Sequence, residues 1–266
     1  MKINAIISIA VLALGLSAGA VFAQQNLIVN GGFESSGGGF QTFPGSWYIG
    51  PADNHSNYGV TNSTLSPDVA EQGTNYAYFR GSPTGGSQDC LGQNLTLTPG
   101  AQYVISYYMG TDGTTTNTHA EMWVAIGGSF GLDYSQDLLL TDYWPNSTNA
   151  RPYQKFSNIY TATNPNPILA FHGVAGINGI AAPSSILVDN VSVTLLIPPL
   201  NVHFTKPNTL AFNWTSATAA YRLQTNSSFL TTNWVTMTNV PVTVGSSNQI
   251  TLPAPAGNRF YRLTLP

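Results

Sequence analysis

The stretch ILVDNVSV, residues 186–193, decides how this chain is interpreted because it combines the alternation of a β-strand with a lone acid. Side chains alternate between the two faces of a strand, so Asp189 is predicted to share its face with Leu187, Val191 and Val193. If that face lies in the core, the carboxylate points inward, where an unpaired charge costs several kcal/mol. No basic residue lies nearby in sequence, and a bound cation would offset this cost.

Most other apolar runs are also short, alternating and bounded by Gly, Pro or Asn, which is typical of an all-β sandwich. No window of a dozen residues after the N-terminus keeps a helical period without a glycine or proline. The predicted strands are residues 76–80, 91–97, 101–109, 120–126, 168–174, 186–196, 209–214, 220–224, 234–238, 249–252 and 259–265.

Length and local composition predict a signal peptide followed by two domains. Residues 1–23 combine Lys2, an apolar run at 6–16 and a small-residue cleavage site at 21–23, as secretory signals do. The remaining chain of about 240 residues exceeds the usual size of one domain. The double proline in residues 196–200 suits a short, stiff linker. We therefore expect domains at residues 25–197 and 201–266.

The composition narrows the classes of function. Charged residues make up only 7% of the chain and the net charge is -3, with no cluster of Lys or Arg. This excludes an electrostatic footprint for nucleic acid or for a membrane surface, and no later segment predicts membrane insertion. With 42% apolar residues the chain can build a core. Cys90 is the single cysteine, so no internal disulfide forms, and an inert buried thiol is favoured over pairing between chains.

A second lone acid, Glu34, ends the stretch NLIVNGGFE at residues 26–34. The first and last strands of an antiparallel sandwich often lie side by side, which would bring Glu34 close to Asp189. Calcium accepts about six to eight oxygen ligands, including backbone carbonyls, in a flexible geometry. Glu34 and Asp189 are therefore candidate ligands of a structural Ca2+. The alternatives are carboxylates that cap turn amides and acids at exposed strand ends.

Three motifs in order carry a resemblance: NLIVNGGFE at 26–34, LTPGAQYVISY at 97–107 and ILVDNVSV at 186–193. Residues 25–197 resemble family 4, 9 and 22 carbohydrate-binding modules and related galactose-binding-like domains of bacterial exported proteins. The resemblance implies an antiparallel jelly-roll β-sandwich and, in many members, a structural calcium held at the positions of Glu34 and Asp189. Residues 201–266 resemble short fibronectin type III-like or immunoglobulin-like modules, which suggests a small second β-sandwich that acts as a spacer or docking unit.

Strand alternation suggests a candidate ligand-binding face. Sugar recognition uses aromatic rings that stack on C–H faces and polar groups that bind hydroxyls. One assignment of the strands leaves Tyr108, Glu121, Trp123 and His172 on a second face, with Tyr76, Tyr78 and Arg80 beside them. The alternative is that these aromatics only pack. Trp144, in a predicted loop at 142–145, is a rival anchor at the edge of the sandwich.

Catalysis is not expected. A glycosidase needs a close pair of carboxylates with separated pKa values, and no nucleophile elbow, zinc helix or phosphate loop occurs in the sequence. His119 and Glu121 share a strand face but make no site by themselves. We therefore expect a secreted or cell-surface protein that binds extracellular or cell-surface polysaccharide, with other surface proteins as further partners. The alternative is a structural or adhesive protein of the envelope or matrix.

Overall fold

The computed structural model describes residues 24–35, 46–49, 58–62, 70–79, 90–111, 118–127, 138–147, 151–175, 185–216, 220–228 and 230–265. The predicted signal peptide and Arg80 lie outside the described residues. Every regular element within the described ranges is a β-strand. None of the described segments forms a helix long and apolar enough to cross a membrane.

Ten strands form the N-terminal sheet pair. They are β1 (Tyr48–Ile49), β2 (Tyr58–Asn62), β3 (Asn75–Phe79), β4 (Cys90–Asn94), β5 (Gln102–Thr111), β6 (Thr118–Gly127), β7 (Leu138–Ser147), β8 (Arg151–Thr161), β9 (Ile168–Ala175) and β10 (Ile186–Leu195).

These strands form two five-stranded sheets. One has the order β1-β4-β9-β6-β7 and is called the Trp123 sheet; the other has the order β2-β3-β10-β5-β8 and is called the Asp189 sheet. All their pairings are antiparallel. Consecutive strands β5 and β6 belong to different sheets, so the chain crosses between layers as a sandwich requires. The prediction of an all-β, antiparallel jelly-roll sandwich is confirmed.

The core lies between the two sheets and is built from alternate residues of each strand. Tyr107 of the Asp189 sheet meets Phe171 of the Trp123 sheet edge to face, with ring centroids 5.1 Å apart. Close approach of the sheets also explains Gly173, since a Cβ there would collide with the ring of Phe79. Aromatic pairs of this kind stabilise a fold by more than the apolar area they bury.

Seven shorter strands form the C-terminal sheet pair. They are β11 (Asn201–Lys206), β12 (Thr209–Thr215), β13 (Arg222–Asn226), β14 (Val235–Thr236), β15 (Val242–Val244), β16 (Ser247–Pro253) and β17 (Phe260–Thr264). The order is β11-β12-β16-β15 in the four-stranded sheet and β14-β13-β17 in the three-stranded sheet. Phe212 and Tyr261 join the sheets with ring centroids 4.5 Å apart. The likeness to fibronectin modules stays a prediction.

The strands that the sequence did not predict all lie at sheet edges: β1, β2, β7, β8, β11 and β15. An edge strand is paired on one side only, and its side chains are less buried, so its apolar alternation is weaker. All six residues of β11 are exposed, for example. The predicted loop at 142–145 is wrong, because these residues belong to the edge strand β7.

Candidate functional site

The first described segment runs beside β10, as expected for the two ends of a sandwich. The amide of Leu27 donates to the Val193 carbonyl at 2.8 Å, and the amide of Val191 donates to the Gly31 carbonyl at 3.0 Å. A Cβ on Gly31 would collide with the Val191 carbonyl, so the glycine permits this approach. The contact places Glu34 at the same end of the molecule as Asp189.

A β-bulge in β10 changes the direction of its side chains. The register with β5 shifts between Asp189 and Ser192, and Asn190 has a left-handed φ of 50°. Val188 and Val191 are three positions apart and would lie on opposite faces of a regular strand, yet both face the core. The prediction that Asp189 shares a face with Val191 and Val193 is wrong, because the bulge adds one residue. Asp189 lies with Leu187 on the outer side of its sheet.

Asp189 is nevertheless fully buried, at 0% exposure, because residues 70–74 cover it. Its Oδ2 accepts hydrogen bonds from the amides of Glu71 at 2.9 Å and Gln72 at 3.1 Å, and its Oδ1 accepts from the amide of Asn190 at 2.7 Å. Burial raises the pKa of Asp189 to about 7, against the opposing effect of these amides, and the neighbouring Glu71 raises it further.

Glu34 binds the other end of the same loop. Its Oε1 accepts from the amides of Thr74 at 2.9 Å and Asn75 at 2.8 Å, and its Oε2 accepts from the Thr74 hydroxyl at 3.0 Å. Partial burial raises the pKa of Glu34, but these donors outweigh burial and leave it below its usual value. Gly73 has a left-handed φ of 75°, and a Cβ there would collide with the carboxylate. Glu34 and Asp189 thus hold one loop, 71–75, from two sides.

The donor set around this loop has the chemistry that calcium prefers, since it offers carboxylate and amide oxygens. A Cβ built on Gly32 would lie 3.5 Å from Asn190 Oδ1 and 3.9 Å from Asp189 Oδ1, so these oxygens face a common space. Among the described residues, however, no group of three or more His, Cys, Asp or Glu side chains is arranged to hold a metal ion. The hydrogen bonds from backbone amides match the alternative that these carboxylates cap turn amides, and a bound calcium stays a prediction.

Tyr108 lies on the outer side of the Asp189 sheet. It is opposite Asp189 in the register with β10 and opposite Lys155 in the register with β8. The Lys155 ammonium lies 5.9 Å from the Tyr108 ring centroid. Tyr76 and Tyr78 lie on the same side of the sheet but are buried against Leu187, so they cannot stack on a ligand as predicted.

Trp123 and His172 belong to the other sheet, where they are direct cross-strand neighbours on β6 and β9. Glu121 is two positions before Trp123 on β6, opposite Val174 and Tyr143; its side chain lies outside the described residues. The prediction that Tyr108 shares a face with these three residues is therefore wrong. The structure brings Trp123, His172 and the Glu121 position together and puts Tyr108 on the opposite side of the sandwich.

His172 is 6% exposed, and this burial lowers its pKa to about 4. Its imidazole is therefore neutral at physiological pH. Trp123 beside it is half-buried. The rival anchor Trp144 is placed on β7, at the edge of the same sheet, opposite Ala120.

Sequence reasoning missed a third arrangement, on the three-stranded sheet. The Arg262 guanidinium lies 4.3 Å from the Trp234 ring centroid, and its Nε donates to Gln224 Oε1 at 2.8 Å. The sequence held one signal of this arrangement: residues 201–266 contain arginines but no Asp or Glu with which an arginine could pair.

No protein-family model matches the sequence, and no characterised protein matches it in sequence. Solved structures do match in fold. The K2 cleaved adhesin domain of Lys-gingipain is 19% identical with a TM-score of 0.42, over 65% of this chain and 98% of that one. A family 4 carbohydrate-binding module is 19% identical with a TM-score of 0.39, over 64% of this chain and 99% of that one.

The enzymatically active domain of bacteriophage CBA120 tailspike protein 4 is also similar, with 14% identity and a TM-score of 0.38. The match covers 64% of this chain but spans only 21% of the tailspike domain. The solved structures that this chain resembles include carbohydrate-binding modules, as its sequence motifs predicted. Overlap and identity of this size bring no ligand and no activity to this chain.

Proposed function

We propose that the protein is an exported, non-catalytic polysaccharide-binding protein whose N-terminal sheet pair binds through the outer face of the Trp123 sheet. The observation that carries this proposal is the register of β6 and β9, which sets Trp123 directly opposite His172. Trp123 is half-buried, so the sheet holds its side chain without covering it fully. This combination suits stacking on the C–H face of a sugar.

One neighbouring position suits the hydroxyls of the same ligand. His172 is 6% exposed, so it supports Trp123 from within the sheet as a neutral polar group and does not itself reach the ligand. Glu121 would add an acceptor two positions along β6 from Trp123. A binding site of this size, with one aromatic anchor, predicts weak affinity for a neutral polysaccharide.

A structural or adhesive role in the envelope or matrix is the second candidate. It is favoured by β11, an edge strand whose six residues are all exposed, including Val202 at 48% and Phe204 at 47%. Exposed edges with apolar side chains can pair with strands of other chains.

The test compares binding of a polysaccharide panel to the wild type, Trp123→Ala and Tyr108→Ala. Tyr108 is the matched control because it is a half-buried aromatic on the opposite sheet. Loss of the anchor is expected to weaken binding about tenfold or more, while Tyr108→Ala leaves it unchanged. Absence of binding to any glycan, or equal losses in both variants, would contradict the proposal and favour the structural role.

A further inference from the structure

We propose that the C-terminal sheet pair carries a separate binding site for an acidic, carboxylate-bearing polysaccharide. The site comprises Arg262, Gln224 and Trp234 on the three-stranded sheet together with an adjoining groove that contains Arg222. It shares no residue with the Trp123 face, and neither proposal depends on the other.

The distribution of charge along the chain is the first support. All eleven acidic residues lie at or before residue 189, whereas four of the eight basic residues, Lys206, Arg222, Arg259 and Arg262, lie in 201–266. The arginines of the C-terminal sheet pair therefore have no acid of their own sheet pair to bind. A region with one sign of charge attracts ligands of the other sign.

Arg262 is held in a defined orientation. Its guanidinium stacks on Trp234 with 4.3 Å to the ring centroid, and its Nε donates to Gln224 Oε1 at 2.8 Å. The amide of Gln224 is fixed in turn, because its Nε2 donates to Thr236 Oγ1 at 3.1 Å. Since Nε is engaged, the two terminal nitrogens are the donors that can meet a carboxylate as a forked pair. Less rotamer freedom is then lost on binding.

An open groove of about 800 Å³ continues this row of polar groups. Thr236 lies in its wall and is opposite Gln224, which is opposite Arg262 in the register. The groove also contains Arg222, and its remaining polar lining is neutral: Ser216, Thr238, Asn239, Thr243 and Asn248. Hydroxyl and amide groups around Arg222, with Arg262 two strands away from Thr236, suit a polymer that carries both sugar hydroxyls and carboxylates.

A second copy of the chain is the competing occupant of this site. Those of its acids whose side chains are described, Glu34, Glu71 and Asp189, already accept hydrogen bonds within their own sheet pair. The neutral hydroxyl and amide groups that line the groove favour a polysaccharide, because they match sugar hydroxyls.

The experiment measures binding of polygalacturonate to the full chain by calorimetry, with the methyl-esterified polymer as the uncharged comparison. Loss of a charged hydrogen-bond pair predicts about tenfold weaker binding for Arg262→Gln and for Arg222→Gln. Arg262→Lys keeps the charge but loses the fork, and a loss close to that of Arg262→Gln is expected. Lys206→Gln is the matched control, because it removes one positive charge from β11 at the opposite edge of the four-stranded sheet.

Binding of polygalacturonate that the two arginine variants weaken, and that Lys206→Gln and Trp123→Ala leave unchanged, supports the proposal. Arg222 is exposed, so its variant keeps the test valid if Arg262→Gln does not fold. Three results overturn it: no binding of polygalacturonate, equal binding of the methyl ester, or an equal loss with Lys206→Gln. Arginine variants that change only self-association in sedimentation also overturn it and assign the surface to a second copy. Because Trp123 is absent from this site, failure here leaves the Trp123 proposal untouched.

Discussion

Asp189 and His172 occupy comparable positions on the two sheets of the N-terminal sandwich, yet their surroundings differ. Each lies on the outer side of its sheet, each is buried, and burial shifts the pKa of each toward the neutral form, to about 7 for Asp189 and about 4 for His172. Three backbone amides oppose the shift of Asp189, whereas burial is the resolved cause of the shift of His172.

The difference separates a structural end of the molecule from a candidate binding face. Around Asp189 the chain supplies donors from residues 71, 72 and 190, so the carboxylate fixes the loop that covers it. Around His172 the neighbours in the register are Cys90 and Trp123, and the side chain of Trp123 is half-buried. The buried carboxylate of Asp189 thus fixes the backbone of the loop at 71–75. The buried imidazole of His172, by contrast, places a neutral polar group beside the ring of Trp123.

The largest expected effect comes from removing the Asp189 carboxylate. Asp189→Ala leaves the covered amides of Glu71 and Gln72 without their acceptor, and each unsatisfied donor in a buried site is costly. We expect a loss of about 3 kcal/mol in the free energy of unfolding, measured by urea denaturation.

Glu34→Gln is the matched control, because it keeps an acceptor on an exposed side chain that binds the same loop. Its loss should be below about 1 kcal/mol. Equal losses of stability in the two variants would mean that the buried carboxylate of Asp189 matters no more than the exposed one of Glu34. The conclusion that burial makes Asp189 the main organiser of this loop would then be wrong.

Much of the fold follows from strand alternation, and the exceptions have physical causes. The strand β5 is paired on both sides and buries its core-facing side chains, so its pattern is strong. The bulge at Asn190 escapes a period of two, because one residue with a left-handed φ reverses the faces that follow. The sequence signal for this bulge is the Asp189-Asn190 pair inside a predicted strand, since Asn adopts a left-handed φ more readily than most residues.

The candidate site could be predicted only in pieces. Alternation gives the two faces of a strand but does not say which sheet the strand joins, and β5 and β6 join different ones. Tyr108 and Trp123 were therefore grouped on one face although the sandwich separates them. The proximity of Glu34 and Asp189 could be predicted because it needs only that the two ends of the sandwich lie side by side.

A smaller effect is expected from pH, with opposite signs for the two residues. In the folded protein Asp189 titrates near 7 rather than 3.8, so its contribution to stability is present at low pH and is lost as the pH rises between these values. His172 titrates near 4 rather than 6.5, so its contribution is present above 6.5 and is lost as the pH falls toward 4.

Urea denaturation from pH 4 to 8 in EDTA should show the free energy of unfolding decline toward neutral pH and also toward acid pH. Asp189→Asn is expected to remove the decline toward neutral pH, and His172→Gln the decline toward acid, each on the order of 2 kcal/mol. Unchanged profiles in these variants would show that neither buried group controls the pH dependence.

The smallest expected effect tests calcium, which would act on the Asp189 side alone. An ion held only by the folded state stabilises it by mass action, so calcium at about ten times its dissociation constant should add about 1.4 kcal/mol, or roughly 4 °C in Tm, and EDTA should remove this gain. His172→Gln should keep the full response because it lies on the other sheet, while Asp189→Ala should abolish it. A response that persists in Asp189→Ala would place the ion elsewhere. No response in the wild type would mean that the hydrogen bonds from residues 71–75 and from the Asn190 amide satisfy the two carboxylates without an ion.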